Sequence, residues 1–213
     1  MLEIPFRSVL RRNPLVTSRL ALAPLEGVDA DDLWNAVDGS RADLEPWLPW
    51  VPFNVDLETS VRYAELSAQD WDEGRACRFS IRRRDNRRLL GVVGLEQLVH
   101  LHRSADLGYW LRTDSTKSGF MSEAAERVLV FAFESLRVHR VRVAAATGNA
   151  SSLAVIRRAG FRFEGVAREA EFVRGRWLDH AVFSLLKRDR SEARPATASA
   201  PLDRTEVEDL PTP

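Results

Sequence analysis

A single cysteine, Cys77, among 213 residues leaves no partner for an intramolecular disulfide and too few thiols for a multi-cysteine zinc site. A reducing compartment is the default reading. The four histidines, His100, His102, His139 and His180, show no ligand spacing, so no metal site is expected and each is read as structural. No stretch approaches the ~18 consecutive apolar residues that cross a bilayer. The opening MLEIPFRSVLRRN scatters charge where a signal peptide needs an apolar region, and a soluble cytoplasmic protein without a membrane partner is expected. Lysine is scarce: the 31 basic residues are 29 Arg with Lys117 and Lys187, against 31 acidic residues. That balance argues against direct nucleic-acid binding. No segment recurs at a period of about 20 to 50 residues, which excludes solenoids and propellers.

What is present is a globular composition, 45% hydrophobic and 29% charged, at a length that suits one domain of ~100–200 residues with appendages. Residues 191–213 hold four prolines and five acidic residues but almost no large apolar groups. Such a segment cannot bury enough surface to offset its ordering entropy, so it is read as a disordered tail. The body is left mildly basic. Residues 1–14 are set apart as an N-terminal extension and residues 15–190 as the folded domain.

Within the body, hydrophobic periodicity switches between two and 3.6. Strands are expected at residues 19–25, 76–84, 88–99, 105–111, 138–146, 161–172 and 178–186, and helices at 29–37, 56–73, 122–136 and 151–159. Between the first two helices lies Leu44-Glu45-Pro46-Trp47-Leu48-Pro49-Trp50-Val51-Pro52. Its prolines forbid regular structure while its tryptophans demand burial, which gives a packed loop. The expected fold class is α+β: one mixed, mostly antiparallel sheet of about seven strands flanked by about four helices. Arg78, Arg82, Arg83, Arg84, Arg87 and Arg88 on the first hairpin are read as a solvated run.

Three stretches carry chemistry. Gly108-Tyr109-Trp110-Leu111 runs through a loop, Arg112 to Gly119, into the helix opened by Phe120-Met121-Ser122-Glu123-Ala124. A strand end, unpaired amides and a positive helix terminus there suit phosphate. Asn149-Ala150-Ser151-Ser152 opens a capped helix that closes in Gly160-Phe161. Glu164-Gly165 and Ala170-Glu171-Phe172 lie in a strand beyond it.

In this order and spacing the three stretches resemble the GNAT superfamily of acyl-CoA N-acyltransferases, in particular the RimJ/RimL branch that acetylates ribosomal-protein N-termini. The resemblance spans about residues 15 to 188. It implies a layered α/β/α GNAT fold and acetyl-CoA as co-substrate, with no metal. Thr116, Lys117, Ser118, Gly119, Phe120 and Met121 match the pyrophosphate loop, written Gln/Arg-x-x-Gly-x-Gly/Ala. Only Gly119 is a strict match; Thr116 replaces Gln/Arg, Lys117 stands where glycine is frequent and Met121 takes the last small position. The resemblance also puts a β-bulge near Trp110 and Leu111, whose backbone would hold an oxyanion.

Asn149 matches the asparagine that contacts the pantetheine arm, Ser152 the branch's proposed general acid, and Glu171 its proposed general base acting through water. Ile156 occupies the position where many members carry a catalytic tyrosine. Trp47 and Trp50 resemble the branch's substrate-side wall. The implied acceptor is a protein N-terminal α-amine, with a small amine (polyamine, antibiotic or amino-sugar) as alternative and a non-catalytic CoA-binding sensor as a third reading. A homodimer is left open.

Overall fold

The structure is a computed structural model that describes residues 1–192. Apart from its first two residues, the segment expected to be a disordered tail lies outside the described residues. In chain order the elements are α1 (Arg7–Arg12), β1 (Leu15–Val16), β2 (Leu20–Pro24), α2 (Ala30–Asp38), α3 (Arg41–Leu44), α4 (Leu57–Asp72), β3 (Cys77–Arg83), β4 (Leu89–Val99), β5 (Ser104–Leu111), α5 (Phe120–Val130), β6 (Arg140–Ala146), α6 (Ala150–Arg158), β7 (Arg162–Val173), β8 (Arg176–Leu186) and α7 (Lys187–Glu192). The strands form one sheet in the order β1-β2-β3-β4-β5-β6-β8-β7. Every neighbouring pair is antiparallel except β5 and β6. The mixed sheet is the expected one, with the two-residue β1 as the added strand.

Strand alternation assigns side chains to two cores. Phe79, Ile81, Val93, Leu95, Val141, Val143, Ala181 and Phe183 pack on one face against Ala125, Val128 and Leu129 of α5 and Leu153 and Ile156 of α6. Val92, Leu89 and Trp110 point to the other face and meet Leu33, Ala36 and Val37 of α2, with Leu44, Val51 and Ala64. Trp71 stands edge-on to Phe79 with ring centroids 5.1 Å apart, and Phe79 in turn to Phe131 at 5.4 Å.

The first fourteen residues lie on this body. Leu2 and Leu10 are buried in the first core, Trp71 Nε1 donates to the Pro5 carbonyl at 2.9 Å, and the Arg7 guanidinium donates to Asp72 at 2.8 Å and to Glu26 at 2.6 Å. α5 begins earlier than its periodicity suggests and its last turn, Phe131–Ser135, widens into a π turn. That widening buries Phe131, Ala132 and Phe133 together, three consecutive residues that a 3.6-residue period would spread around the helix.

The arginine run is not simply solvated. Alternation turns Arg78 and Arg82 toward acidic side chains from distant segments: Arg78 meets Asp70 and Glu96, both at 2.6 Å, and Arg82 meets Asp29 at 2.8 Å and Asp32 at 2.6 Å. Arg88 pairs with Asp114 at 2.6 Å.

Candidate active site

The parallel pairing of β5 and β6 is short. It joins Ser104, Ala105 and Asp106 to Arg140, Val141 and Arg142, after which β5 stays with β4 and β6 with β8. The sheet therefore splays, and one edge of each strand faces a gap. Arg112 N–H donates to the Leu90 carbonyl at 2.8 Å, so alternation aims Trp110 N–H at β4 as well and turns the amides of Tyr109 and Leu111 into the gap.

The expected bulge at Trp110–Leu111 is absent: Val92↔Trp110 and Gly91↔Leu111 pair in unbroken register. The irregularity sits one strand over, where Ile81↔Gly91 is followed by Arg82↔Leu89 and Leu90 is the extra residue. The backbone there is so close that a Cβ on Gly91 would lie 2.1 Å from the Trp110 carbonyl oxygen. A glycine on β4, rather than a bulge in β5, accommodates the chain at this point.

Downstream of β5, the loop enters α5 through two left-handed residues, Lys117 at φ 58° and Gly119 at φ 78°. This explains why glycine suits position 117, since a lysine there carries a backbone cost of ~1–2 kcal/mol. Gly119 is the N-cap of α5, and the helix's first amides open beside it. Thr116 Oγ1 donates to the Thr113 carbonyl at 2.8 Å and Ser118 Oγ to the Thr116 carbonyl at 3.2 Å, so these side chains brace the loop. Met121 turns its side chain into the first core and offers the loop only backbone.

Phe120 is half-buried beneath the Arg19 guanidinium, 4.5 Å from the ring centroid, with Arg83 at 5.8 Å. Arg19 Nη1 donates to the Ser118 carbonyl at 2.9 Å, and Arg19 Nε to Glu123 at 2.7 Å. Glu123 also accepts from the Thr17 hydroxyl and from Arg19 N–H. Burial pushes the Glu123 carboxyl up, but these hydrogen bonds and the nearby guanidinium outweigh it and hold it below the usual range.

At α6, Asn149 Oδ1 accepts from Ser152 N–H at 3.1 Å as the helix cap, which leaves its amide NH₂ unspent by that bond. Ser152 Oγ lies 2.9 Å from the Tyr109 hydroxyl. Burial raises the Tyr109 phenol to about 12 against the lowering bond from Ser152, so it stays neutral at ordinary pH. Sequence reasoning missed this contact between residues 43 apart. Strand alternation puts Tyr109 on the α6 face, but nothing local names its partner.

Glu171, on β7, is half-buried with Oε2 3.4 Å from His180 Nε2 of β8. Ala181 and Phe183 point into the first core, so His180 faces the opposite side of the sheet, with Trp110. The histidine set aside as structural thus stands against the carboxylate singled out in sequence.

Trp50 packs on Trp110 with ring centroids 6.0 Å apart. Trp47 lies alongside Gly148, its ring 3.6 Å from where a Cβ would be. The loop is closed by Arg41, which donates to the carbonyls of Val51 at 2.8 Å and Asn54 at 2.7 Å.

These pieces converge at the end of β6. Ala146 pairs with His180, which meets Glu171. Thr147 N–H donates to the Asp179 carbonyl at 2.9 Å, Gly148 abuts Trp47, and Asn149 caps the helix whose Ser152 meets Tyr109. The loop from Arg112 to Gly119 follows the end of β5, across the same gap. Among the described residues, no group of three or more His, Cys, Asp or Glu side chains is placed to hold a metal ion, and no helix is long and apolar enough to cross a membrane.

Comparison with known proteins bears on what this arrangement does. Residues 19–162 match the family model of the acetyltransferase (GNAT) domain. The uncharacterized N-acetyltransferase YoaA of Bacillus subtilis (strain 168) is 30% identical over 174 residues, which cover 81% of this chain and 96% of that protein. The [ribosomal protein uS5]-alanine N-acetyltransferase of Escherichia coli (strain K12) is 26% identical over 192 residues, covering 89% of this chain and 98% of that one. Among solved structures, RimL, the ribosomal L7/L12 α-N-protein acetyltransferase in complex with coenzyme A, superposes with a TM-score of 0.77 at 20% identity. The match covers 87% of this chain and 98% of that chain, a likeness of fold.

Proposed function

The chain belongs to the GNAT acetyltransferase family, and from that premise we propose that it transfers acetyl from acetyl-CoA to a protein N-terminal α-amine by direct attack in a ternary complex. The observation that carries the reading is the convergence at the splay: Ser152 with Tyr109 on one face of the sheet, Glu171 with His180 on the other, and a gap between β5 and β6 that joins them. The residues present fit a long phosphate-bearing thioester. The curled loop from Thr116 to Met121 offers backbone amides and the positive end of α5 to a diphosphate, while the open edges of β5 and β6 offer strand-like partners to an extended amide-bearing arm.

When bound, acetyl-CoA supplies an acyl thioester whose carbonyl carbon is open to attack and whose sulfur leaves as thiolate. Toward that group the Leu111 N–H is aimed to hold the carbonyl oxygen as it gains charge. Glu171 takes the proton of the attacking amine through water. A weak base is enough, because an α-amine with a pKa of ~7.7–8.0 is already partly neutral near pH 7. Ser152, in the first turn of α6, donates a hydrogen bond to the departing sulfur, and the positive helix end favours the same negative charge. Asn149 turns its NH₂ toward the arm while its oxygen caps the helix. Trp47 and Trp50 wall the acceptor side. No residue forms a covalent intermediate; the single cysteine, Cys77, is buried, and burial pushes its thiol up.

The similarity to the uS5-alanine enzyme supports an N-terminal acceptor. The test is mass spectrometry of proteins from cells with and without this chain. The reading expects specific N-terminal acetyl groups to vanish with it, and an unchanged set of N-termini contradicts it.

A further inference from the structure

Resting on the reading of Ser152 as the leaving-group donor, we propose that Tyr109 is the positioning residue of that step: its hydroxyl donates to Ser152 Oγ, which holds that oxygen and polarises its proton toward the departing thiolate.

The Tyr109 hydroxyl has two acceptors on the same residue, Ser152 Oγ at 2.9 Å and the Ser152 carbonyl oxygen at 3.2 Å. If the phenol donates to the carbonyl, the serine hydroxyl gives its only proton to the phenolic oxygen and has none for sulfur. If the phenol donates to Oγ, the serine proton is free. The carbonyl does not need the phenol, because within α6 it accepts from the amide four residues on. The hydroxyl contact is also the shorter of the two, so the freeing arrangement is the favoured one.

Two further features fit. The Ser152 backbone is fixed at the helix start, because its N–H is held by Asn149 Oδ1 at 3.1 Å. Tyr109 is packed against the first core and remains a neutral donor across the working pH range, since burial pushes its phenol up to about 12. No charged side chain contributes to that shift; burial and the Ser152 bond are its causes. The hydrogen-bond chain therefore runs from a permanent donor, through the serine, to a site beside a positive helix end where an anion forms. A tyrosine reaching in from the strand occupies the surroundings of the leaving group, while Ile156, buried in the core, takes the place in the helix.

The test reads the thiol of coenzyme A bound to the full chain, which needs no acceptor. Its ionisation is followed by the ultraviolet absorbance of the thiolate, in the wild type, Ser152→Ala, Tyr109→Phe and the double variant, with coenzyme A affinity and melting temperature measured on each. Ser152→Ala is expected to raise the bound thiol's pKa by about one to two units, the equivalent of one hydrogen bond to a charged group. Tyr109→Phe leaves the serine proton unclaimed but its oxygen neither held nor polarised, so it should reproduce part of that rise with coenzyme A affinity little changed, and the double variant should go no further than Ser152→Ala.

A Tyr109→Phe titration that coincides with wild type while Ser152→Ala shifts overturns the proposal and leaves the Ser152 reading standing. Additive shifts in the double variant also overturn it. No shift in Ser152→Ala, or no binding of coenzyme A, overturns the reading and the proposal together. Should Tyr109→Phe fail to fold, fluorotyrosine at position 109 keeps the ring and strengthens the donor. It should lower the bound thiol's pKa below wild type, and an unchanged value counts against the proposal.

Discussion

Glu171 and His180 face each other across the last hairpin, Oε2 to Nε2 at 3.4 Å, although strand register pairs Glu171 with Leu178 and His180 with Ala167. Between Ala167 and Glu171, β7 runs four residues while β8 runs two from His180 to Leu178. The surplus is taken up in a bulge where Glu169 adopts φ 48° and donates its N–H to Asp179 Oδ1 at 2.8 Å. An excess of two preserves the facing of the strand, so the bulge advances Glu171 to where Glu169 would otherwise stand.

If Glu171 is the base, Glu171→Gln keeps shape and removes proton acceptance. Turnover near pH 7 should fall on the order of 10²-fold with acetyl-CoA affinity unchanged. The deficit should narrow as pH rises above the amine's own pKa, because an amine that arrives neutral needs no base. Rates measured from pH 6 to 9 check this; a deficit constant across about that range points to a structural role.

Gly119→Val should abolish acetyl-CoA binding while the chain still folds. At φ 78° a β-branched residue is strained in any surroundings, and its relief would uncurl the loop that presents the α5 amides. Wild type should melt higher as acetyl-CoA is added, as binding to the native state alone requires. A full ligand-induced shift in the variant contradicts the assignment of this loop.

Arg78 sits between two carboxylates, 2.6 Å from Asp70 and 2.6 Å from Glu96. Arg78→Ala leaves both facing a largely buried gap and should cost about 3 kcal/mol, measured by urea unfolding at pH 7.

The same site makes stability depend on acid. Burial pushes the Asp70 carboxyl up, but hydrogen bonds from Arg78 and Arg75 outweigh it and hold it below its ordinary value. Glu123 and Glu164 are lowered as well, Glu164 first by its hydrogen bond from Arg140. A carboxyl lowered in the folded chain contributes stability that is complete above its unfolded pKa and is lost as pH falls through its folded one. Unfolding free energy should therefore hold steady in this respect above about pH 5 and decline below about pH 4, and Asp70→Asn should flatten part of the decline.

The strands and the long helices are legible because each buries one face, which period and turn residues record. The short α1 is not, since six residues hold too few turns for a period, and Leu2 and Leu10 are buried by contacts with distant parts of the chain. In the site, Gly119, Asn149 and Ser152 stand out by their place at helix starts, and Glu171 only by the family resemblance. Tyr109 and His180 do not. Tyr109 meets Ser152 only because β5 and α6 pack together, and His180 meets Glu171 only because β7 carries a bulge whose length no local residue pattern declares. The misplaced bulge has the same origin, since the backbone's close approach at Gly91 belongs to the pairing of two strands and to neither sequence alone.

The most direct measurement mixes the full chain with acetyl-CoA and a synthetic peptide that begins with a free alanine, and follows free thiol and peptide mass together. The account predicts one thiol released per acetyl group gained, the acetyl on the α-amine and none on the protein. Thiol release without an acetylated peptide, an acetyl group left on the chain itself, or no thiol release while acetyl-CoA is bound would contradict it.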